Sequence, residues 1–164
     1  MSLDGYIAKS NDDLGFLSIV EQEGEDYGYS DFVSTVDTVI IGRKTYEWVT
    51  RQFDFPHTDK NTYVITRTPR PNIGKTFFYT DDLTELVLTL KQQKGKTIFC
   101  DGGAEIVNEL LRSTLIDEFI ISVIPVLVGS GTKLFNDGRP EQKLQLIKVT
   151  KFDAGLVQLH YRAS

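Results

Sequence analysis

The chain has 164 residues, enough for one domain with a sizeable core. Hydrophobic residues make up 40% and charged residues 25%, the mixture of a globular protein. A net charge of −5 argues against a nucleic-acid binder or a protein that docks on anionic membranes, both of which need a basic face. The single cysteine, Cys100, excludes an intrachain disulfide and a cysteine metal cluster. His57 and His160 lie far apart and lack metal-ligand spacing, so no metal is expected. No apolar run reaches the ~18 residues of a membrane span, and no signal-peptide pattern opens the chain. A cytoplasmic protein is expected.

No repeat or low-complexity linker divides the chain, so one domain over residues 1–164 is expected. Ser2 to Ala8 reads as a strand, followed by the polar loop "KSNDDLGFL" and a short helix from about Asp26 to Val36. "DTVIIG" reads as a buried strand stopping at Gly42, with a helix from Arg43 through Val49. "NTYVITR" and "KTFFY" are further strands. Leu83, Leu86, Val87 and Leu90 fall at i, i+3, i+4 and i+7, one face of a helix that Thr80 or Asp81 would cap and Gly95 would end. "KTIFC" is a strand, and the helix after it carries Ile106, Val107, Leu110 and Leu111 on one face. "EFIISVIPVLV" is too β-branched for a comfortable helix. "KLQLIKVTKF" and "LVQLHYR" flank Asp153-Ala154-Gly155 as a terminal hairpin. Strands alternating with helices and ending in a hairpin predict an α/β fold, its sheet parallel first and antiparallel at the end.

In such sheets ligands sit at the carboxyl ends of the strands. Two glycine junctions fall there. In "FCDGGAEIVNELL", Gly102-Gly103 link a strand to a helix, where unpaired amides and the positive end of a helix dipole attract anions. The same residues serve equally as a tight turn. In "IIGRKTYE", Gly42 precedes Arg43, Lys44 and Thr45 in a first helical turn, without Walker-loop spacing. In "YVITRTP", Thr66 and Arg67 leave the sheet as a hydroxyl and a cation suited to a second phosphate, or as a solvated turn. Together the three suit a long ligand with a pyrophosphate and a further phosphate, the shape of a dinucleotide. "VLVGSGTKLF" is not a Rossmann fingerprint, because Leu134 stands where the third glycine belongs. Asp4, Asp26, Asp31 and Asp101 stand where a substrate could reach, and simple exposure explains each as well.

These motifs in order, with "MSLDGYIA" and "LIDEFIISVIPVLVGSGTKLF", resemble the dihydrofolate reductase-like superfamily over nearly the whole chain. The similarity is nearest to the C-terminal reductase domain of bifunctional riboflavin-biosynthesis deaminase–reductase proteins. The resemblance implies a central mixed sheet flanked by helices and an NADPH site. Gly42, Arg43, Lys44 and Thr45 would meet the pyrophosphate and 2′-phosphate side, and Thr66 and Arg67 the 2′-phosphate. Gly102, Gly103, Ala104 and Glu105 would cradle the pyrophosphate, with Asp101 toward the nicotinamide and substrate. Ser122 matches a hydroxyl residue near the substrate, and Phe16 the aromatic of a closing loop. The catalytic candidates are thus Asp4, Asp26, Asp31, Asp101 and Ser122. Family members carry several more residues ahead of "SLDG", so either a short first strand or a start missing ahead of Met1 is expected, and neither Asp26 nor Asp31 matches the folate-binding acid in register. No zinc-deaminase motif occurs, so no deaminase half is expected.

The function this implies is hydride transfer from NADPH to a small pyrimidine- or pterin-type substrate. The 5-amino-6-(5-phosphoribosylamino)uracil reductase type leads. A dihydrofolate reductase and a non-catalytic NADPH-binding protein are the alternatives. Family analogy and the apolar run from Phe119 to Val128 suit a homodimer, and a buried core strand explains that run equally well.

Overall fold

The computed structural model describes residues 1–95 and 97–164. In chain order its strands and α-helices are β1 (Tyr6–Ala8), α1 (Tyr29–Ser34), β2 (Val36–Gly42), α2 (Arg43–Gln52), β3 (Asn61–Ile65), β4 (Thr76–Tyr79), α3 (Leu83–Gln92), β5 (Thr97–Gly102), α4 (Ala104–Arg112), β6 (Glu118–Val123), β7 (Thr132–Lys133), β8 (Leu144–Lys151) and β9 (Val157–Ala163). Two short 3-10 helices, Ser10–Asp12 and Gly15–Val20, lie between β1 and α1. Lys96, the first residue of the expected "KTIFC" strand, lies outside the described residues. The fold is mixed α/β, with a parallel four-stranded sheet flanked by helices and a C-terminal antiparallel sheet. The chain packs as two compact units, Gly28–Leu115 and Met1–Tyr27 with Ile116–Ser164.

The unit Gly28–Leu115 is built on a sheet of order β4-β3-β2-β5. Every pairing in it is parallel. Parallel strands need crossover connections, which α2 supplies between the neighbours β2 and β3 and α3 between the two edge strands β4 and β5. Val39, Ile40 and Ile41 of β2 are at most 1% exposed, as a central strand covered on both faces requires. Gly42 pairs with Ile65, Ile41 with Gly102, and Ile65 with Tyr79, so the four carboxyl ends finish level. Leu83, Leu86, Val87 and Leu90 are all buried along one face of α3. Its cap is Asp82, whose Oδ1 accepts the Glu85 N–H at 2.9 Å; the helix begins at Leu83, which leaves Thr80 and Asp81 too early to cap it.

The first helix is shorter than the sequence pattern predicts. It starts after Gly28, which holds a left-handed φ of +78°, so Asp26 falls outside it. At its end the Ser34 and Thr35 hydroxyls donate to the carbonyls of Asp31 and Phe32, a local alternative to continued helix.

The other unit holds the sheet β6-β9-β8 and the antiparallel pair β1-β7. The first strand shrinks to three residues because 2–5 form a turn, with Gly5 N–H donating to Ser2 O and Tyr6 N–H to Ser2 Oγ. The apolar run ends as strand at Val123, and Val126 turns its carbonyl to the Leu3 N–H. Phe16, Val20, Ile124 and Leu156 form the buried core of this unit, with Tyr27 edge-on to Phe152 beside it. Phe16, in the segment between β1 and α1, is therefore a core residue, only 3% exposed.

The Asp82 cap makes a simple test of the α3 assignment. Asp82→Ala should cost about 1 kcal/mol of unfolding free energy. Urea unfolding should show a lower midpoint at unchanged slope; an unchanged midpoint would contradict the cap.

Candidate functional site

The level carboxyl edge of the parallel sheet carries the starts of α2 and α4. Neither helix has a side-chain cap: Gly42 and Gly103 stand at the cap positions, with no side chain to offer, whereas α3 has Asp82. Their first amides are therefore left for a ligand or for water. The two starts lie against each other. A Cβ built on Gly42 would stand 3.5 Å from Gly103 N and 3.2 Å from Ile106 Cγ1, and one on Gly103 would stand 3.0 Å from Thr45 Oγ1. Lys44 and Glu105, in the two first turns, approach to 3.7 Å with both side chains well exposed. Such an exposed pair contributes little and opens readily.

Gly102 and Gly103 have different reasons to be glycine. Gly102 has φ +99°, a conformation that side chains rarely adopt, although a Cβ there would meet nothing within 4 Å. Gly103 sits at a close approach instead, where a Cβ would crowd the Thr45 hydroxyl. The peptide between them is cis. Two adjacent uncapped helix starts with no Cβ at their caps fit a pyrophosphate.

The cations of this edge are arranged less simply than their spacing suggests. Arg43 does not reach forward over its helix start; its Nη1 donates to Glu47 Oε2 at 2.7 Å, one turn along α2. Arg70 donates to the other carboxylate oxygen, Oε1, at 2.6 Å and lies over the Phe78 ring at 5.7 Å. The hydrogen bond from Arg70, with the charge of Arg43 behind it, holds the Glu47 carboxyl below its ordinary range. Thr66 is buried, and its Oγ1 accepts the Thr68 N–H at 3.1 Å, which shapes the turn that carries Arg67. Arg67 is exposed, and among the described residues it has no ion pair. Sequence reading missed Glu47 and Arg70. The i, i+4 spacing of Arg43 and Glu47 was a usable signal; Arg70 reaches Glu47 only because β2 and β3 are neighbours.

Asp101 is the penultimate residue of β5, its side chain 28% exposed, and its Oδ2 lies 3.7 Å from Nε2 of the buried His57. The Tyr29 hydroxyl approaches the same nitrogen at 3.5 Å. Burial pushes the neighbouring Cys100 thiol up to about 11, so it stays protonated at neutral pH.

Comparison with known proteins follows this architecture. The family model described as the RibD C-terminal domain matches residues 1–158. The chain belongs to the RibD C-terminal domain family. It is 47% identical to the Bacillus subtilis protein YwjB, itself uncharacterized, over 98% of this chain and 92% of that one. A putative riboflavin biosynthesis protein from Shewanella sp. PV-4 superimposes with a TM-score of 0.89 at 28% identity, covering 100% of this chain and 95% of that structure. Acinetobacter baumannii RibD shares the fold at a TM-score of 0.73 and 20% identity, over 99% of this chain and 55% of the longer protein.

The remaining candidate acids of this RibD C-terminal domain relative have other surroundings. Asp31 is exposed in the first turn of α1, and Asp26 is exposed ahead of it. Asp4 commits both oxygens to structure: Oδ1 accepts from Ser2 Oγ at 2.6 Å and Val128 N at 3.0 Å, and Oδ2 from Gly129 N at 2.7 Å. Asp4 thus ties the first turn to the 126–129 loop instead of standing free for chemistry. Ser122 pairs with Gln158 across β6 and β9, and its Oγ accepts from Gln158 Nε2 at 3.3 Å. Among the described residues no His, Cys, Asp and Glu side chains cluster as metal ligands, and no helix is long and apolar enough to cross a membrane.

The hydrogen bond from Ser2, then those from Val128 and Gly129, lower Asp4 from 3.8 to about 2. A carboxyl lowered by folding stabilises the protein above its unfolded value and loses that effect as pH falls toward the folded value. Asp4→Asn should therefore melt below the parent near neutral pH, with the gap closing as pH approaches about 2. A gap independent of pH would contradict the clamp.

Proposed function

We propose that this protein is an NADPH-dependent reductase of the pyrimidine reductase type, acting on a small phosphoribosylaminopyrimidine. The observation that carries the cofactor reading is the pair of adjacent, uncapped helix starts at Gly42 and Gly103. Family membership supports the reaction class. The reading takes residues 1–164 as one reductase domain working in the cytoplasm.

In this reading the N–H groups of Arg43, Lys44 and Thr45 face one phosphate of the pyrophosphate, and those of Gly103, Ala104 and Glu105 face the other. Lys44 leaves its exposed pair with Glu105 to add charge. Thr66 and its turn present Arg67 to the ribose 2′-phosphate, and Arg70 stands close by on the Phe78 ring. NADPH, when bound, supplies the hydride. The protein holds the reacting groups in order and stabilises charge as it develops. Asp101, at the carboxyl end of β5, is the acid placed to bind the substrate or to exchange a proton with it.

Titration with NADPH and NADH tests the assignment. Arg67→Ala should weaken NADPH about tenfold to a hundredfold, the equivalent of about 1.5–3 kcal/mol for a lost charge-assisted hydrogen bond, and leave NADH nearly unchanged. Equal loss for both cofactors would remove Arg67 from the 2′-phosphate. Oxidation of NADPH by dihydrofolate, and not by the aminopyrimidine, would reassign the substrate.

A further inference from the structure

His57 is buried, 1% exposed, in the loop between α2 and β3. Its ring meets Phe55 edge-on at 5.5 Å and Phe99 at 6.2 Å. Phe99 stands two residues before Asp101 in β5 and packs edge-on against Phe32 of α1 at 5.0 Å. On structural grounds alone an apolar ring would suit this slot better. Nδ1 is buried and has no hydrogen-bond partner among the described residues, and such a polar atom costs stability.

The other nitrogen is the informative one. Nε2 faces the Asp101 carboxylate at 3.7 Å and the Tyr29 hydroxyl at 3.5 Å. Both distances exceed a direct hydrogen bond, as is common at reacting centres before a ligand draws them together. A ring proton on Nε2 meets an acceptor there, while a proton on Nδ1 would meet none. Burial, and then the charge of Asp101, raises the Tyr29 phenol above its ordinary value, so it stays a neutral hydroxyl beside the pair. The other titratable neighbours are Cys100, which feels the Asp101 charge, and Asp59, which feels His57 from the same loop.

We propose that His57 is a positioning residue for Asp101: it holds a proton on Nε2, between the Asp101 carboxylate and the Tyr29 hydroxyl, and so fixes the orientation in which that carboxylate meets substrate. It rests on the reductase reading above, because Asp101 matters only if substrate reaches the carboxyl end of β5. His57 itself touches no substrate in this scheme. The fold tolerates the unpartnered Nδ1 because Nε2 serves the site, a case in which local stability is given up for function.

Two measurements decide it. The first needs no substrate: long-range proton–nitrogen NMR on the whole protein should show His57 as the Nε2–H tautomer, and Asp101→Ala should weaken that preference. An Nδ1–H ring, or an equal mixture in the parent protein, overturns the pairing. The second compares His57→Phe with His57→Gln. His57→Phe keeps the packing and removes the orphaned nitrogen, so it should melt no lower than the parent and bind NADPH equally well. Its kcat should fall at least about tenfold, part of the roughly 10²–10⁴ that a well-placed acid or base supplies. His57→Gln, which returns an N–H near the Nε2 position, should recover most of that loss. If His57→Phe turns over like the parent, or if it loses stability and cofactor binding along with activity while His57→Gln rescues nothing, the positioning role is wrong. Absence of NADPH turnover in the parent protein would overturn the reductase reading instead, and the NMR result would still judge the His57–Asp101 pair.

Discussion

The constraint on which the site depends is the level carboxyl edge of the parallel sheet. Because Gly42 pairs with Ile65 and Ile41 with Gly102, the chain must leave β2 and β5 at the same height. Each exit runs straight into a helix, so two positive dipole ends meet at one place. Bringing them together leaves only a tight space for a Cβ at either cap position, 3.2 Å from Ile106 Cγ1 at Gly42 and 3.0 Å from Thr45 Oγ1 at Gly103. Glycine at 42 and 103 meets that steric demand, and the loss of side-chain caps that follows makes the edge receptive to anions.

Charge at this edge is balanced before any ligand arrives. Glu47 takes one guanidinium on each carboxylate oxygen and ties the loop after β3 to α2. Lys44 rests weakly against Glu105. Arg67 alone of these cations stands out without an ion pair among the described residues, so it is the one whose charge a further phosphate meets at least cost. An overall charge of −5 coexists with a local group of cations at this edge, Arg43, Lys44, Arg67 and Arg70.

Much of this was legible in the sequence. The i, i+3, i+4, i+7 pattern located α3, and apolar runs ending in glycine located β2, β5 and their helices. Local hydrogen bonds were not legible: Ser34 and Thr35 cut α1 short, and Ser2 folds the first residues into a turn that reduces β1 to three residues. Burial and hydrogen bonding also changed roles. Phe16 looks like a loop aromatic in sequence and is core, while Asp4 looks reactive and is a clamp. His57 was invisible as part of a site because its partners, Tyr29 and Asp101, lie 28 and 44 residues away and meet it only through the sheet and its flanking helix.

The central claim is that the two helix starts together hold a pyrophosphate, and amide chemical shifts report it most directly. A proton–nitrogen correlation experiment on the labelled protein, titrated with NADPH, should move the amides of Arg43, Lys44, Thr45, Gly103, Ala104 and Glu105 first and together. If NADPH binds and those six amides stay still, or if nothing binds at millimolar cofactor, the account of this edge is wrong.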